Sequence, residues 1–360
     1  MQFKKTRRID VGGRPLGGGA QISVQSMTNT DPGDLRATLE QIHALEENGC
    51  ELVRVAVPDL KASRILKGII AESPLPVIAD IHFDYRLAVA ALEAGVAKIR
   101  INPGNIGSTE KVRTVVRAAK ERKAAIRIGA NSGSLSKEVL TKAAGNIPQA
   151  MVLSVEEQLR TLLDESFEEI VVSLKSSDVL ETVEACQLFA SRWDFPQHLG
   201  ITEAGTSRTG AIKSAVGLGI LLHQGIGDTI RVSLTGDPVD EVRTAYEILK
   251  SLHLRERGPV LVSCPTCGRC QIDLAGILQE VEKEIQGITE PLHLAVMGCV
   301  VNGPGEASRA DLGLAGGKGQ GIIFRHGKVL RRVDEEKLLS EFFAELRRIL
   351  AERKERDLPK

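Results

Sequence analysis

The sequence has no excess of either charge, because its 47 Lys and Arg residues balance 47 Asp and Glu residues. Such a balance gives no sequence-independent attraction to polyanions, so nucleic acid is not expected as the main partner. Long hydrophobic runs are also missing. The stretch 215–222 is one of the longest and is far too short to cross a bilayer, so no membrane association is expected.

Secretory and nucleotide-binding signals are missing as well. The chain starts with a basic segment that leads into Ile9, Asp10 and two glycines rather than into an apolar stretch. No secretory signal is visible there, and a cytoplasmic location is expected. The glycine-rich segments 12–13, 17–19 and 316–321 match neither the spacing of a dinucleotide-binding loop nor that of a P-loop. The sequence therefore shows no fingerprint for a nicotinamide or flavin cofactor.

Short β-branched segments alternate with amphipathic helical segments over most of the chain. This alternation is typical of a parallel sheet with crossover helices. Eight candidate strands are present, which favours a closed (β/α)8 barrel of the TIM type. The predicted strands are residues 22–25, 52–57, 77–80, 98–102, 125–129, 170–174, 199–203 and 229–234.

A change in composition predicts where the barrel ends. Residues 254–257 are mostly charged, and Gly258 and Pro259 then break the pattern, which suits a domain junction. We expect a substrate-binding barrel domain at residues 1–257 and a small α/β domain at residues 258–360.

Several cations stand at the carboxyl ends of the predicted strands, where barrel enzymes carry their catalytic groups. We therefore expect four cations to converge on the barrel mouth, the opening at the carboxyl ends of the strands: Arg54, Arg100, Arg127 and Lys175. Unpaired charges in an apolar setting are costly, and a ligand with more than one phosphate would satisfy them, since Arg donates two hydrogen bonds at once. The alternative is that each pairs with a carboxylate at the rim, chiefly Asp80 or Glu203.

Two other strand-end residues are candidates for proton transfer. Glu203 is the stronger one, because a carboxylate near a partly desolvated mouth can have its pKa tuned for that work. Its competing role is a structural partner for Arg or Lys. His82 is a candidate for ligand binding or proton transfer, although a lone histidine is more often a hydrogen-bonded structural residue.

The second domain contains four of the six cysteines, namely Cys264, Cys267, Cys270 and Cys299. A Cys-x-x-Cys turn brings two thiolates to one metal, and a third on a Gly/Pro-rich loop can join them. Zinc, a disulfide framework and an iron–sulfur cluster are the three interpretations, and disulfides fit a cytoplasmic chain least. Three cysteines on a four-iron cluster would leave one iron for an exchangeable ligand such as Glu306. Spacing alone does not decide between zinc and iron–sulfur.

A family resemblance favours iron–sulfur. Residues 264–267 read CPTC and residues 298–306 read GCVVNGPGE, and this pair resembles the signature of the 4-hydroxy-3-methylbut-2-enyl diphosphate synthase family of the non-mevalonate isoprenoid pathway. The similarity covers essentially the whole chain, in the short two-domain bacterial form. Further matching segments are VQSMT at 24–28, IADIHF at 78–83, KIRINPGN at 98–105, IRIGANSGS at 126–134 and ITEAG at 201–205.

The resemblance implies a specific cofactor, substrate and site. It implies a [4Fe–4S] cluster and a cyclic substrate, 2-C-methyl-D-erythritol 2,4-cyclodiphosphate, which is opened and dehydroxylated by two electrons. Glu203 would act as acid or base, and Glu306 would yield its iron to a substrate oxygen. The implied cluster ligands are Cys264, Cys267, Cys299 and Glu306, and the implied diphosphate-binding residues are Arg54, Arg100, Asn102, Arg127, Asn131, Lys175 and Ser233.

The resemblance also implies partners. The family dimerises head to tail, so that one subunit's cluster closes over the other's barrel, and an external carrier, ferredoxin or flavodoxin, would deliver the electrons. Cys270 is a departure from the expected pattern: it either competes with Glu306 as the fourth ligand or is a bystander. Two rival hypotheses are another phosphate-ligand barrel enzyme, such as a pterin-type synthase with a zinc-stabilised appendix, and a non-enzymatic electron-transfer or metal-sensing protein.

Overall fold

The computed structural model describes residues 3–82, 84–101, 108–300, 305 and 307–357. The chain divides into two compact units, Met1–Arg255 and Glu256–Lys360. Within the described residues, no helix combines the length and the apolar character that crossing a membrane requires.

The first unit is a parallel barrel. The strands are β3 (Ser23–Met27), β4 (Leu52–Ala56), β5 (Val77–Asp80), β6 (Lys98–Arg100), β7 (Ala125–Asn131), β8 (Ile170–Lys175), β9 (His198–Leu199) and β10 (Thr229–Ile230). They are hydrogen-bonded in the order β8-β7-β6-β5-β4-β3-β10-β9, and a parallel bridge between Val172 and Gln197 joins the two ends of that row. The predicted (β/α)8 architecture is confirmed.

Several predicted strands are shorter than expected. Residues 199–203 form a strand only up to Leu199, because the chain then turns and Glu203 adopts a left-handed backbone with φ of 49°. Residues 229–234 leave the ladder after Ile230. The backbone N–H of Leu234 donates instead to the carboxylate of Glu241, at 3.1 Å. The predicted strand 98–102 ends at Arg100, and Asn102 lies outside the described residues.

Helices connect successive strands and cover the outside of the barrel. Several begin at an Asp or Asn whose side chain accepts a backbone N–H of the first turn, as Asp34 does from Ala37, and such caps fix where a helix starts. The helices are α1 (Leu35–Glu47), α2 (Leu60–Glu72), α3 (Tyr85–Ala94), α4 (Thr109–Arg122), α5 (Lys137–Lys142), α6 (Ile147–Asp164), α7 (Val179–Arg192), α8 (Ser207–His223) and α9 (Pro238–Ser251).

A hairpin closes the amino-terminal end of the barrel. Its strands are β1 (Ile9–Val11) and β2 (Arg14–Leu16), paired antiparallel. We call the apolar cluster that it forms with the barrel strands the floor. The floor consists of Ile9, Val11, Leu16, Leu52, Ile78, Ala125 and Val171.

The second unit is a five-stranded sheet in the order β11-β12-β13-β14-β15. The first three strands pair in parallel, and each of the last two strands pairs antiparallel with the strand before it. Two helices pack against this sheet through Leu274, Val281, Phe342 and Leu346. The elements are β11 (Val260–Ser263), α10 (Leu274–Ile285), β12 (His293–Met297), β13 (Leu312–Ala315), β14 (Gln320–Arg325), β15 (Lys328–Asp334) and α11 (Leu338–Asp357).

Candidate active site

The carboxyl ends of three adjacent strands place one acid among cations. Asp80, Arg100 and Arg127 are register partners across β5, β6 and β7. An oxygen of Asp80 lies 3.3 Å from Nη1 of Arg100, and the other oxygen lies 3.8 Å from Nε of Arg54 and 3.4 Å from Nε2 of His82. The alternative of rim ion pairs therefore holds for Arg54 and Arg100, with Asp80 as the shared partner.

Asp80 is held in its charged form by these neighbours. Burial by itself raises the pKa of a carboxyl group, but Arg54, the hydrogen bond from His82 and Arg100 together bring the pKa of Asp80 below its usual range. Burial lowers the pKa of Arg54 to about 10, and Asp80 partly offsets that effect. One carboxylate cannot neutralise every cation of the mouth.

Arg127 and Lys175 lack the carboxylate partners that the alternative requires. Nε and Nη1 of Arg127 are buried without a hydrogen-bond partner, and no ion pair joins either residue to another described residue. Burial lowers the pKa of both groups well below its ordinary value, and the surrounding Arg charges lower it further. A polyanion would supply the missing partners.

Close approach to the backbone shapes the surroundings of Lys175. A Cβ atom on Gly200 would lie 2.7 Å from Nζ of Lys175 and 2.6 Å from the carbonyl oxygen of Arg231. The carbonyl oxygen of Arg231 belongs to the backbone and cannot move away easily, so glycine is needed at this position, and Nζ of Lys175 occupies space that a side chain there would enter.

Sequence reasoning missed several polar residues inside the barrel. Arg231 was not chosen as a site residue, yet its Nε and Nη2 donate to the two oxygens of Glu241, each at 3.1 Å. Glu241 lies on α9 and also accepts from the hydroxyl of Ser26 at 3.0 Å. Lys98 and His198 are fully buried, and neither Nζ of Lys98 nor either ring nitrogen of His198 has a hydrogen-bond partner among the described residues.

The other predicted substrate residues lie at the same end of the strands. Asn131 is the register partner of Lys175, and Ser233 is half-buried three residues after β10. His82 is exposed, with 52% of its side chain accessible. Asn102, also predicted to bind the diphosphate, lies outside the described residues.

Glu203 is exposed rather than desolvated, which differs from the environment that its predicted role assumed. Its carboxylate makes no hydrogen bond or ion pair with another residue of the described ranges. The positive φ of 49° is uncommon for a residue with a side chain and costs free energy unless the surrounding structure imposes it. The conformation projects a free carboxylate from the loop that follows β9.

Cys264 and Cys270 approach Gly298, the residue that precedes Cys299. Strands β11 and β12 are parallel, so Cys264 and Cys299 follow strands that end at the same edge of the sheet. The backbone N–H of Gly298 donates to Sγ of Cys264 at 3.1 Å. A Cβ atom on Gly298 would lie 2.6 Å from Sγ of Cys270, so only glycine allows the turn carrying Cys270 to approach.

This donor set fits a thiophilic metal centre. The backbone N–H and side chain of Arg269 lower the pKa of Cys267, whereas burial raises the pKa of Cys50 and Cys186 to about 12. Cys267 is thus an exposed thiol that is more acidic than usual, as a metal ligand requires, whereas Cys50 and Cys186 are buried and unreactive. In the part of the chain that the structure describes, no three His, Cys, Asp or Glu side chains are close enough to hold a metal ion. Glu306, the predicted fourth ligand, lies outside that part.

Two family descriptions cover most of the chain. The GcpE TIM-barrel domain matches residues 6–246, and the GcpE protein C-terminal domain matches residues 260–348. The chain belongs to the GcpE family. The gap between the two matches contains the division of the structure between Arg255 and Glu256. The assignment of substrate binding to one domain and of a cluster to the other stays a prediction.

Relatives of this GcpE-family chain match over nearly its whole length. A protein of Geobacter sulfurreducens named 4-hydroxy-3-methylbut-2-en-1-yl diphosphate synthase (flavodoxin) is 58% identical over 349 residues, 97% of this chain and 99% of that protein. A protein of the same name from Lawsonia intracellularis is 56% identical, covering 97% of this chain and 98% of its own length.

A solved structure matches the fold more distantly. A dihydropteroate synthase from Xanthomonas albilineans covers 69% of this chain and 98% of its own, with 14% identity and a TM-score of 0.49. At this level of likeness nothing about the activity of the GcpE-family chain follows from it.

Proposed function

We propose that this chain reductively opens and dehydroxylates 2-C-methyl-D-erythritol 2,4-cyclodiphosphate to 4-hydroxy-3-methylbut-2-enyl diphosphate. It is an oxidoreductase of the non-mevalonate isoprenoid pathway, and flavodoxin is its electron donor. The observation that carries the proposal is the identity of 58% over 97% of the chain with a relative of that name. A zinc-stabilised barrel enzyme of another kind is not favoured.

The cations of the barrel mouth bind the diphosphate. Arg127 and Lys175 are buried without a carboxylate partner, and each phosphate group brings the negative charge and acceptor oxygens that they lack. Arg54 and Arg100 share Asp80, which leaves part of their charge for the ligand. Asn131 and Ser233 add neutral donors at the same end of the strands, and Asn102 and His82 complete the proposed set.

Cys264, Cys267, Cys299 and Glu306 would hold a [4Fe–4S] cluster. Such a cluster, when bound, accepts electrons one at a time from a carrier and passes them to substrate. The N–H of Gly298 donates to Sγ of Cys264 and would help to orient that ligand. Cys270 lies against Gly298, and in this proposal it is a neighbour of the ligands rather than one of them.

Glu203 transfers a proton in this proposal. Loss of a hydroxyl group as water requires a proton, and a positioned carboxylic acid can donate it. The free carboxylate and the left-handed backbone of Glu203 support this assignment. The change Glu203→Gln should keep iron content and substrate affinity but lose most turnover. Loss of iron in that variant would contradict the role.

Assembly and location complete the proposal. The chain forms a head-to-tail homodimer in the cytoplasm, with the cluster of one subunit serving the barrel of the other. Mixing the weakly active Arg127→Met protein with Cys264→Ser protein, which is expected to lack the cluster, should then raise the activity, because one of the two shared sites is intact in the mixed dimer. Activity no higher than the sum of the separate variants would exclude that arrangement.

The deciding experiment is anaerobic purification followed by iron, zinc and sulfide analysis and a turnover assay with reduced flavodoxin. Iron with matching sulfide, and conversion of the cyclic diphosphate, are expected. Cys264→Ser should lose iron, and the matched control Cys270→Ser should keep both iron and activity. Zinc without sulfide, or an iron-loaded protein that does not convert the cyclic diphosphate, would overturn the proposal.

A further inference from the structure

Lys98 is a buried amine in the interior of the barrel. It lies on β6, level with Ile78 of β5 and Ala125 of β7, both of which belong to the apolar floor. It is 0% exposed, and within the part of the chain that the structure describes its Nζ has no hydrogen-bond partner. An ammonium group in such a place is costly because neither water nor an acceptor replaces its hydration.

In the described ranges, every acid that faces the barrel interior near Lys98 is already paired with an arginine. Asp80 of β5 is shared by Arg54 and Arg100, and Glu241 of α9 is held by both ends of the Arg231 guanidinium. Gln25 of β3 is uncharged, and its side-chain amide also lacks partners. The remaining charged or titratable groups facing the interior are Arg54 of β4, Arg127 of β7, Lys175 of β8 and His198 of β9.

These neighbours favour the uncharged form of Lys98 in the ligand-free protein. Burial lowers the pKa of Lys98 well below its ordinary value, and the charges of Arg127 and Arg54 lower it further. Burial also lowers the pKa of His198 well below its ordinary value, and the charges of Lys175, Arg127 and Lys98 lower it further. The interior thus holds two bases whose protonation is opposed by the cations beside them.

A polyanion at the mouth reverses this balance. Negative charge beside Arg127 and Lys175 offsets the repulsion that keeps protons off their neighbours, and an opposite charge favours the protonated form of a base. Proton binding and ligand binding then strengthen each other, and this coupling is reciprocal.

We propose that the barrel interior is a proton-linked polyanion site in which binding of a diphosphate at Arg127 and Lys175 draws a proton onto Lys98. The inference rests on the proposed function in that it takes the cyclic diphosphate as the ligand. Lys98 is a positioning residue: its proton completes the charge balance under the ligand, and it does not touch the reacting atoms.

The coupling between proton binding and ligand binding predicts how the affinity changes with pH. Because binding takes up a proton, affinity for the cyclic diphosphate falls as pH rises through the range in which Lys98 is neutral when free and charged when bound. One proton corresponds to a decrease of up to about tenfold per pH unit. Each phosphorus of the cyclic ligand carries one strongly acidic hydroxyl, so the ligand itself does not titrate near neutral pH.

The test is calorimetric titration of the oxidised, cluster-loaded protein with the cyclic diphosphate, without reductant. Repeating it in buffers with different enthalpies of ionisation gives the number of protons taken up. Wild type should take up protons, and Lys98→Met should take up nearly one fewer. The matched control Lys67→Met changes an exposed lysine on α2 and should behave like wild type.

The outcomes separate the inference from the proposed function. Binding without proton uptake, or equal uptake by wild type and Lys98→Met, would overturn the proton linkage and leave the function standing. No binding of the cyclic diphosphate to folded wild type would remove both. If Lys98→Met fails to fold, affinity of wild type between about pH 6 and 9 decides, because a flat or rising profile contradicts the linkage.

Discussion

The two ends of the barrel interior differ sharply although the same strands build both. Ile78 and Ala125 belong to the apolar floor, whereas Asp80 and Arg127 stand at the mouth, two residues further along the same strands. Side chains two residues apart point to the same face and are about 6–7 Å apart along a strand. A distance of two residues thus separates the floor, which stabilises the fold, from the mouth, whose unpaired cations reduce the free energy of unfolding.

The largest expected effect comes from removing a cation of the mouth. Arg127→Met should lower kcat/KM by roughly a hundredfold, because a charge-assisted contact of up to about 3 kcal/mol is lost. The same change should raise the melting temperature, since an apolar side chain replaces a buried charge without a carboxylate partner. Steady-state kinetics and thermal unfolding check the two parts.

A control separates charge loss from a general defect. Arg113→Met alters an Arg whose side chain is 44% exposed and should leave both kinetics and melting temperature nearly unchanged. If Arg127→Met lowered the melting temperature, the idea that the mouth is strained by unpaired charge would be wrong.

The floor should show the opposite pattern. Leu16→Ala removes a fully buried side chain from the hairpin and should reduce the free energy of unfolding by about 2–4 kcal/mol. Turnover per folded molecule should stay the same, because Leu16 lies at the end of the barrel remote from the mouth. Denaturant unfolding together with an activity assay normalised to folded protein measures both.

Leu180→Ala serves as the matched control for the floor, because Leu180 is 69% exposed and should contribute little to stability. A loss of turnover in Leu16→Ala larger than its loss of folded protein would show that the two ends are coupled.

The smallest expected effect is a dependence of stability on pH at the boundary between floor and mouth. Burial lowers the pKa of Lys98 in the folded chain, whereas the unfolded chain binds this proton up to about pH 10.4. Between those two values the unfolded state holds more protons, so the free energy of unfolding rises with pH by up to about 1.4 kcal/mol per unit. Lys98→Met lacks this contribution.

The stability advantage of Lys98→Met over wild type should therefore be largest at low pH and shrink as pH rises. Denaturant unfolding of both proteins across pH 6 to 10, within the window of the Lys titration, measures it. A constant difference would mean that Lys98 stays charged in the folded protein.

Local patterns in the sequence were enough to predict most of the barrel's strands. The strand 77–80 was predicted with the observed bounds, because a short apolar run ends there at an acid. Helix α6 begins at Ile147, where the local sequence carries the signals for a start: Asn146 caps the helix and Pro148 occupies its first turn. The shortened β9 and β10 could not be predicted, because a turn and the side chain of Glu241 end them.

The sequence predicted the cations at the mouth of the candidate site, but not the polar residues deeper in the barrel or their pairing. Arg54, Arg100, Arg127 and Lys175 were chosen because they stand in strands, and the structure brings them to one interior. Lys98 lies two residues before Arg100 and therefore points to the same face of β6. Its position next to the floor depends on how β6 pairs with β5 and β7, which the local sequence does not show. The pairing of Arg231 with Glu241 joins a strand to a helix, and no local pattern encodes such a contact.

The hairpin that closes the floor has a consequence for synthesis of the chain. Ile9, Val11 and Leu16 leave the ribosome well before one of their packing partners, Val171. At about 5–20 residues per second, that partner is made roughly 8–30 s later. During this interval the hairpin's apolar face lacks a complete binding surface, which makes the amino-terminal segment a natural client for chaperones that act on nascent chains.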